Sequence, residues 1–115
     1  MRLLVILNEK PDAGTDVAWN ALRLLLQAQK SGMTVKLFLM NEGVELGRAG
    51  LKRGEDYDLP GMLLEAVSKG AEVTLCKTCL SRRGIAEKEI RPEVKIGTMP
   101  DLVEWIAVCD RVLCF

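Results

Sequence analysis

The sequence predicts an α/β fold in which a mainly parallel sheet carries helices on both of its faces. Two observations support this prediction. Continuously apolar runs of about five residues, of which residues 3–7 are the first, are typical of strands that are buried on both sides. These runs alternate with segments whose apolar residues recur at helical spacing, a pattern that favours parallel strands joined by crossover helices. There is no internal repeat or linker, so residues 1–115 are expected to form a single domain.

The first half of the chain supplies two strands and the helix between them. Residues 3–7 are the first strand and residues 35–40 the second. Between them, Thr15 is a suitable N-cap for a helix, and Gly32 favours the left-handed conformation that ends one. Residues 41–58 carry four glycines and mixed charges, which indicates a long loop with no more than a weak helical turn.

The middle of the chain supplies a helix, a strand and a further short helix. Pro60 lies where the second helix begins, and Gly70 ends it. Residues 73–75 form the third strand, which leads directly into Cys76. We expect residues 84–90 to form a short helix after the turn that follows this strand.

The last part of the chain completes the sheet. Residues 94–96 are expected to be extended, and Thr98 with Asp101 resembles a capping box that opens the final helix. The residues of this helix that are expected to face the core are Leu102, Val103, Ile106 and Ala107. Residues 111–115 form the closing strand.

Charge and composition limit the possible functions. The chain has 16 basic and 16 acidic residues, so it lacks the positive field that nucleic-acid binding normally requires. The amino-terminal apolar run is too short for a signal peptide or a membrane helix, and we expect a cytoplasmic protein with no membrane partner. The absence of histidine excludes histidine-based catalysis. Residues 8–14, after the first strand, match no nucleotide-binding motif, and no cofactor is expected.

Cysteine is the remaining chemical resource. Cys76 and Cys79 follow the third strand, at the edge of a parallel sheet where ligands and catalytic groups gather. Lys77, Arg82 and Arg83 make this turn basic, and the N–H groups that start the following helix favour negative charge. Such surroundings favour the thiolate, which is the attacking species, so this pair is the candidate nucleophilic site.

Several roles for the four cysteines stay open. A structural zinc site would need Cys76 and Cys79 to lie close to Cys109 and Cys114. We expect instead that Cys109 and Cys114 are small buried hydrophobic residues and that no metal is bound. The Cys-x-x-Cys pair is also compatible with a thioredoxin-type dithiol. Sulfur transfer needs one exposed nucleophilic cysteine on a mobile loop and a positive surround for the persulfide anion, and it needs no histidine.

Nearly the whole chain resembles the DsrE/DsrF-like family of small sulfur-relay proteins. The resemblance includes Gly-Ala-Glu-Val-Thr-Leu-Cys at residues 70–76, Arg-Gly-Ile at residues 83–85, and the closing residues 97–102 and 109–115. It implies a three-layer α/β/α fold with a five-stranded parallel sheet, here as one DsrE-like domain. It also implies assembly into homo- or hetero-oligomers, commonly trimers or hexamers, and for this chain we expect a homo-oligomer.

The resemblance implies roles for individual residues as well. In members that serve tRNA thiolation, the sulfur-carrying cysteine stands six positions before the first arginine of an Arg-Arg-Gly sequence, which gives Cys76 here. Cys79 would share the sulfur, resolve it as a disulfide or act as the principal nucleophile. The anion-stabilising residues would be Lys77, Arg82, Arg83 and Gly84. The expected function is a persulfide carrier between donor and acceptor proteins; the alternative is a non-catalytic oligomeric scaffold or a small-molecule binding module of the same fold.

Overall fold

The computed structural model describes all 115 residues and contains five strands, four α-helices and two 3₁₀ helices. The strands are β1 Arg2–Leu7, β2 Thr34–Leu39, β3 Glu72–Cys76, β4 Lys95–Gly97 and β5 Arg111–Cys114. The α-helices are α1 Val17–Lys30, α2 Leu59–Ser68, α3 Lys77–Arg82 and α4 Met99–Val108, and the 3₁₀ helices are Asn41–Gly47 and Glu87–Glu89. No helix is both long and apolar enough to cross a membrane.

The five strands form one sheet in the order β4-β3-β2-β1-β5, and every neighbouring pair is parallel. The predicted fold class is therefore confirmed. The chain moves outward from β1 to β4 and then returns to the other side of β1 to form β5. Because crossovers between parallel strands are right-handed, this reversal puts α4 on the opposite face of the sheet from α1 and α2.

Residue contacts identify the two faces. In β2, Phe38 packs edge-to-face against Trp105 of α4, with ring centroids 6.1 Å apart. The register places Ile6 of β1 beside Phe38, so both belong to the α4 face. The other face carries Leu3 of β1, which lies beside Arg111 of β5 and lines a groove together with α1. One continuous core of 29 buried residues joins the layers.

The helix after β3 differs from the prediction. The expected helix at residues 84–90 is wrong: α3 begins at Lys77, directly after the strand, and only the 3₁₀ turn Glu87–Glu89 lies in that segment. Cys76 caps α3 with its sulfur, and cysteine is not among the common N-cap residues. Gly84, at φ +66°, ends the helix instead of preceding one.

The packing of α4 also differs from the prediction. Leu102 is buried as expected, but Val103 and Ile106 are 58% and 43% exposed, and Ala107 is exposed. The helix is apolar on both sides, so spacing alone does not select the inner face. Leu102 and Trp105, three residues apart, lie on the inner side of the helix, and Trp105 packs against Phe38.

The closing segment leaves its cysteines less covered than expected. Cys114 is exposed and Cys109 is half-buried, so the prediction of two buried cysteines is wrong. Cys114 lies on β5, an edge strand with a single neighbour and with all four of its residues exposed, and Cys109 caps the end of α4 before that strand.

Gly43 provides a test of the close packing between the first 3₁₀ helix and β1. A Cβ atom at this position would collide with the carbonyl group of Leu7, which is main chain and cannot rotate away. We expect Gly43→Ala to lower the free energy of unfolding by about 1–3 kcal/mol. Gly50→Ala is the matched control, because nothing lies within 4 Å of its added methyl group. Urea unfolding followed by circular dichroism measures both variants, and equal midpoints for the two would contradict the assigned packing.

Candidate functional site

The candidate site lies at the edge of the sheet where the parallel strands end. Asn8 follows β1, Asn41 follows β2, and Cys76 is the last residue of β3. Since neighbouring parallel strands finish at the same edge, these three residues come together although they are far apart in the sequence.

Cys76 is at once the end of β3 and the N-cap of α3. Its Sγ accepts a hydrogen bond from the backbone N–H of Cys79, with 3.4 Å between nitrogen and sulfur. Cys79 lies three residues further along the chain, and burial together with interaction with Cys76 raises the pKa of its thiol. The two cysteines therefore form one unit, in which the main chain of Cys79 donates to the Cys76 sulfur.

Asn41 links this pair to the first strand. Its backbone N–H donates to Sγ of Cys79 at 3.2 Å, and its Nδ2 donates to Oδ1 of Asn8 at 2.7 Å. Asn8 in turn donates from Nδ2 to the carbonyl oxygen of Phe115 at 3.2 Å. Asn41 has φ +50°, a left-handed conformation that asparagine tolerates better than most residues. Sequence reasoning missed Asn41; an asparagine directly after a buried strand was the available signal.

The basic residues of the site are not equivalent. Arg83 is the closest to the thiols, since its Nη1 donates to the carbonyl oxygen of Cys79 at 3.1 Å. Lys77 lies 4.0 Å from Glu87 in an exposed ion pair, which contributes little to stability. Arg82 is exposed and makes no ion pair. Gly84 follows the end of α3 in a left-handed conformation, which is a structural role.

The environment of Cys79 combines opposing effects on its acidity. Burial has the largest effect and raises the pKa of the Cys79 thiol, and the hydrogen bond to Cys76 raises it further. The N–H of Asn41 and the charge of Arg83 act in the opposite direction, but less strongly. Cys79 is therefore a neutral thiol at pH 7, able to donate its proton in a hydrogen bond to a neighbouring anion.

The predicted exposure of the nucleophile is wrong. Cys76 is 5% exposed and Cys79 is 9% exposed, and both belong to the hydrophobic core cluster. Cys76 is fixed at a strand end and not on a mobile loop, while the 3₁₀ helix Asn41–Gly47 packs against both β3 and α3. A reaction partner therefore reaches these sulfurs only when the covering residues move.

The four cysteines do not form a common site. Cys76 on β3 and Cys114 on β5 are separated by three strand spacings, or about 14 Å at ~4.8 Å per spacing. Nowhere do three or more histidine, cysteine or acidic side chains come close enough to hold a metal ion. Cys109 lies apart from both, and burial raises the pKa of its thiol.

Comparison with known proteins gives matches over the full chain. The model of the DsrE/DsrF-like family matches residues 1–115. Protein YchN of Escherichia coli strain K12 is 37% identical over 117 residues, covering 100% of both chains. The crystal structure of YchN from E. coli aligns with a TM-score of 0.88 at 35% identity, covering 100% of this chain and 99% of that one. A protein of unknown function from Methanobacterium thermoautotrophicum shares the fold at 14% identity, with a TM-score of 0.72 and coverage of 99% and 98%.

The burial of Cys79 predicts slow alkylation. At pH 7 we expect iodoacetamide to modify Cys79 more than about tenfold more slowly than the exposed Cys114, because little thiolate forms and the sulfur is covered. Since its pKa is raised, the rate at Cys79 should still increase above the pH at which a peptide thiol levels off. Peptide mass spectrometry after timed alkylation measures both sites.

The same protein unfolded in urea is the control for this measurement. There Cys79 should react like any peptide thiol, which separates protection by the fold from an effect of the local sequence. Equal rates at Cys79 and Cys114 in the folded protein would contradict the described burial.

Proposed function

The chain belongs to the DsrE/DsrF-like family, and on that premise we propose that it carries sulfane sulfur as a persulfide on Cys76. The contact that supports this most directly is the hydrogen bond from the backbone N–H of Cys79 to the Cys76 sulfur, with 3.4 Å between nitrogen and sulfur. A main-chain N–H directed at a sulfur stabilises negative charge on it, and the thiolate is the species that attacks a sulfur donor.

The proposed loading step is a thiol exchange. The Cys76 thiolate attacks the outer sulfur of a donor persulfide, R–S–SH, and a new S–S bond forms while the donor's S–S bond breaks. The products are Cys76–S–SH and the donor thiolate R–S⁻. Delivery repeats the step in the opposite sense: an acceptor thiolate takes the outer sulfur, and the Cys76 thiolate is released. No net oxidation occurs, and no cofactor is needed.

Cys79 gives the Cys76 persulfide a second reaction. Its thiolate can attack the inner sulfur of the Cys76 persulfide, forming a Cys76–Cys79 disulfide and releasing hydrosulfide, HS⁻. The disulfide then needs a reducing dithiol to restore the carrier. The raised pKa of Cys79 disfavours this attack at neutral pH, so Cys79 serves first as a hydrogen-bond donor and only second as a resolving thiol.

Access to the site favours protein donors and acceptors over small free thiols. The exposed surface beside the buried sulfurs includes Lys77, Thr78, Arg82 and Arg83. A partner with acidic residues around its own reactive cysteine would dock on this basic surface and displace the covering side chains. The basic surface is small and local within a chain of zero net charge, which argues against direct nucleic-acid binding.

Loading with sulfur tests the proposal. After incubation with a cysteine desulfurase and cysteine, we expect the intact protein to gain the mass of one sulfur atom. Cys76→Ser should lose the adduct, whereas Cys79→Ser should keep it, because the backbone N–H of residue 79 that donates to the Cys76 sulfur is unchanged. Mass spectrometry under non-reducing conditions measures all three proteins.

Cys114→Ser is the matched control, since it removes an exposed thiol remote from the site. It should load like the unchanged protein. An adduct that disappears with Cys114→Ser, or none on any cysteine of the folded protein, would exclude the proposed role of Cys76. The non-catalytic scaffold would then remain.

A further inference from the structure

The junction between β2 and the first 3₁₀ helix directs a main-chain N–H at the thiol pair. Asn41 lies in this junction with φ +50°, and it is the only non-glycine residue with a left-handed backbone. The chain is held on both sides of it. The N–H of Met40 donates to the carbonyl oxygen of Leu7 at 3.0 Å, and Gly43 approaches that carbonyl so closely that a Cβ atom would collide with it. Because both sides are fixed, the left-handed conformation sets the direction of the Asn41 N–H.

The side chain of Asn41 holds the same junction through a second contact. Its Nδ2 donates to Oδ1 of Asn8 at 2.7 Å. Asn8 donates to the carbonyl oxygen of Phe115 from its main chain at 2.8 Å and from its side chain at 3.2 Å. Asn41 is thus connected to the ends of β1 and β5. Asparagine combines tolerance of a left-handed backbone with the amide that makes this bond, and an alkyl side chain offers neither.

Each sulfur of the pair accepts one main-chain N–H. The N–H of Cys79 donates to Cys76, and that of Asn41 donates to Cys79 at 3.2 Å. A donor directed at a sulfur stabilises the thiolate relative to the thiol. Burial, followed by the interaction with Cys76, raises the pKa of Cys79; of the influences that lower it, the Asn41 N–H is larger than the charge of Arg83. The main chain of Asn41 is therefore a stronger support for a thiolate at Cys79 than the basic side chain is.

The other charged groups around the pair do not replace this donor. On the 3₁₀ helix that covers the thiols, Glu45 forms an ion pair with Arg48 at 3.1 Å, and Glu42 is exposed. On α3, Lys77 is paired with a glutamate and Arg82 is exposed. A neutral substitution in the junction therefore alters the donor and none of these charges.

We propose that Asn41 is a positioning residue that, by directing its N–H at Cys79, sets the rate at which Cys79 resolves the Cys76 persulfide. This inference rests on the proposed persulfide and concerns its regulation. In the resolving step the Cys79 thiolate attacks the inner sulfur of the persulfide, and the Cys76–Cys79 S–S bond forms. The bond to the outer sulfur breaks, and HS⁻ leaves with its electron pair. The Asn41 N–H thereby determines how long the persulfide remains available to an acceptor.

The direction of the effect follows from the acidity of the thiol. Loss of the donor raises the pKa of Cys79 further, so less thiolate is present at pH 7. The thiolate that remains is more nucleophilic, with a Brønsted coefficient of about 0.4–0.5, which offsets roughly half of the loss. A thiolate fraction that is about threefold smaller therefore slows the resolving step about twofold at pH 7.

The pH profile of alkylation tests the donor on the protein without sulfur. Trypsin cleaves after Lys77, so Cys76 and Cys79 are on separate peptides and the rate at each is measured independently. Asn41→Ala removes the bond to Asn8 and disfavours the left-handed backbone. We expect it to move the midpoint for Cys79 to higher pH and to lower the rate at pH 7, relative to the plateau, about threefold. Access to the sulfur scales the whole profile and leaves its midpoint unchanged.

Asn41→Gly separates the effect of the backbone from that of the side chain. Glycine adopts the left-handed conformation freely, so this variant should move the midpoint less than Asn41→Ala does. Asn20→Ala is the matched control, since it removes an exposed asparagine that bonds only Arg23 of its own helix, and it should leave the midpoint unchanged. If circular dichroism shows that Asn41→Ala does not fold, Asn8→Ala replaces it, because it breaks the same side-chain bond and keeps Asn41.

Release of sulfide from the loaded protein tests the consequence for the persulfide. After loading by a cysteine desulfurase and removal of the donor by gel filtration, HS⁻ should appear about twofold more slowly from Asn41→Ala than from the unchanged protein at pH 7. Cys79→Ser lacks the resolving thiol, so it should release no HS⁻ by this route and gives the background rate.

Three results would overturn the proposal. One is a midpoint for Cys79 that is the same in Asn41→Ala as in the unchanged protein. Another is a shift in Asn41→Gly as large as that in Asn41→Ala, since glycine keeps the backbone that directs the N–H. The third is a shifted midpoint with an unchanged rate of HS⁻ release. A protein that does not load with sulfur would instead contradict the persulfide on Cys76, and the pH profile would still test the Asn41 donor.

Discussion

Parallel pairing around β1 is the constraint on which the rest of the structure depends. β1 lies between β2 and β5, and five of its six residues are buried. Because all five strands run in the same direction, their carboxyl ends meet at one edge, and residues 8, 41, 76 and 115 become neighbours there. The hydrogen bonds from Asn8 to Phe115 and from Asn41 to Asn8 and Cys79 connect four strand ends. A change of register in any one strand would shift its residue out of this line.

The sequence predicts the sheet well because buried parallel strands have a strong signal. Residues 3–7, 35–40 and 73–75 were each found within one or two residues of the observed strands. The spacing of apolar residues does not predict the inner face of α4, because apolar residues occupy both its core side and its exposed side. Periodicity distinguishes an inner face only when the outer face is polar, and in α4 the exposed Val103 and Ile106 are as apolar as the buried Leu102.

The cysteine pair was located from the sequence, but its environment was not. The motif correctly predicts Cys76 at the end of β3, with Cys79 just beyond it on α3, but the basic residues around the pair wrongly suggest that the sulfurs are exposed. In the fold Lys77 lies beside Glu87, and Arg83 donates to the carbonyl oxygen of Cys79 and to neither sulfur. Burial then has a larger effect on Cys79 than the positive charge of Arg83. Exposure and pKa depend on such long-range contacts, which a short motif does not contain.

The position of the thiols in the sheet determines which parts of the chain control access to them. They lie at the end of β3, next to the edge strand β4, and the 3₁₀ helix Asn41–Gly47 packs against both β3 and α3. Cys114 is on β5, on the far side of β1, three strand spacings from Cys76. Any exchange of sulfur between Cys76 and a second thiol of the same chain therefore involves Cys79.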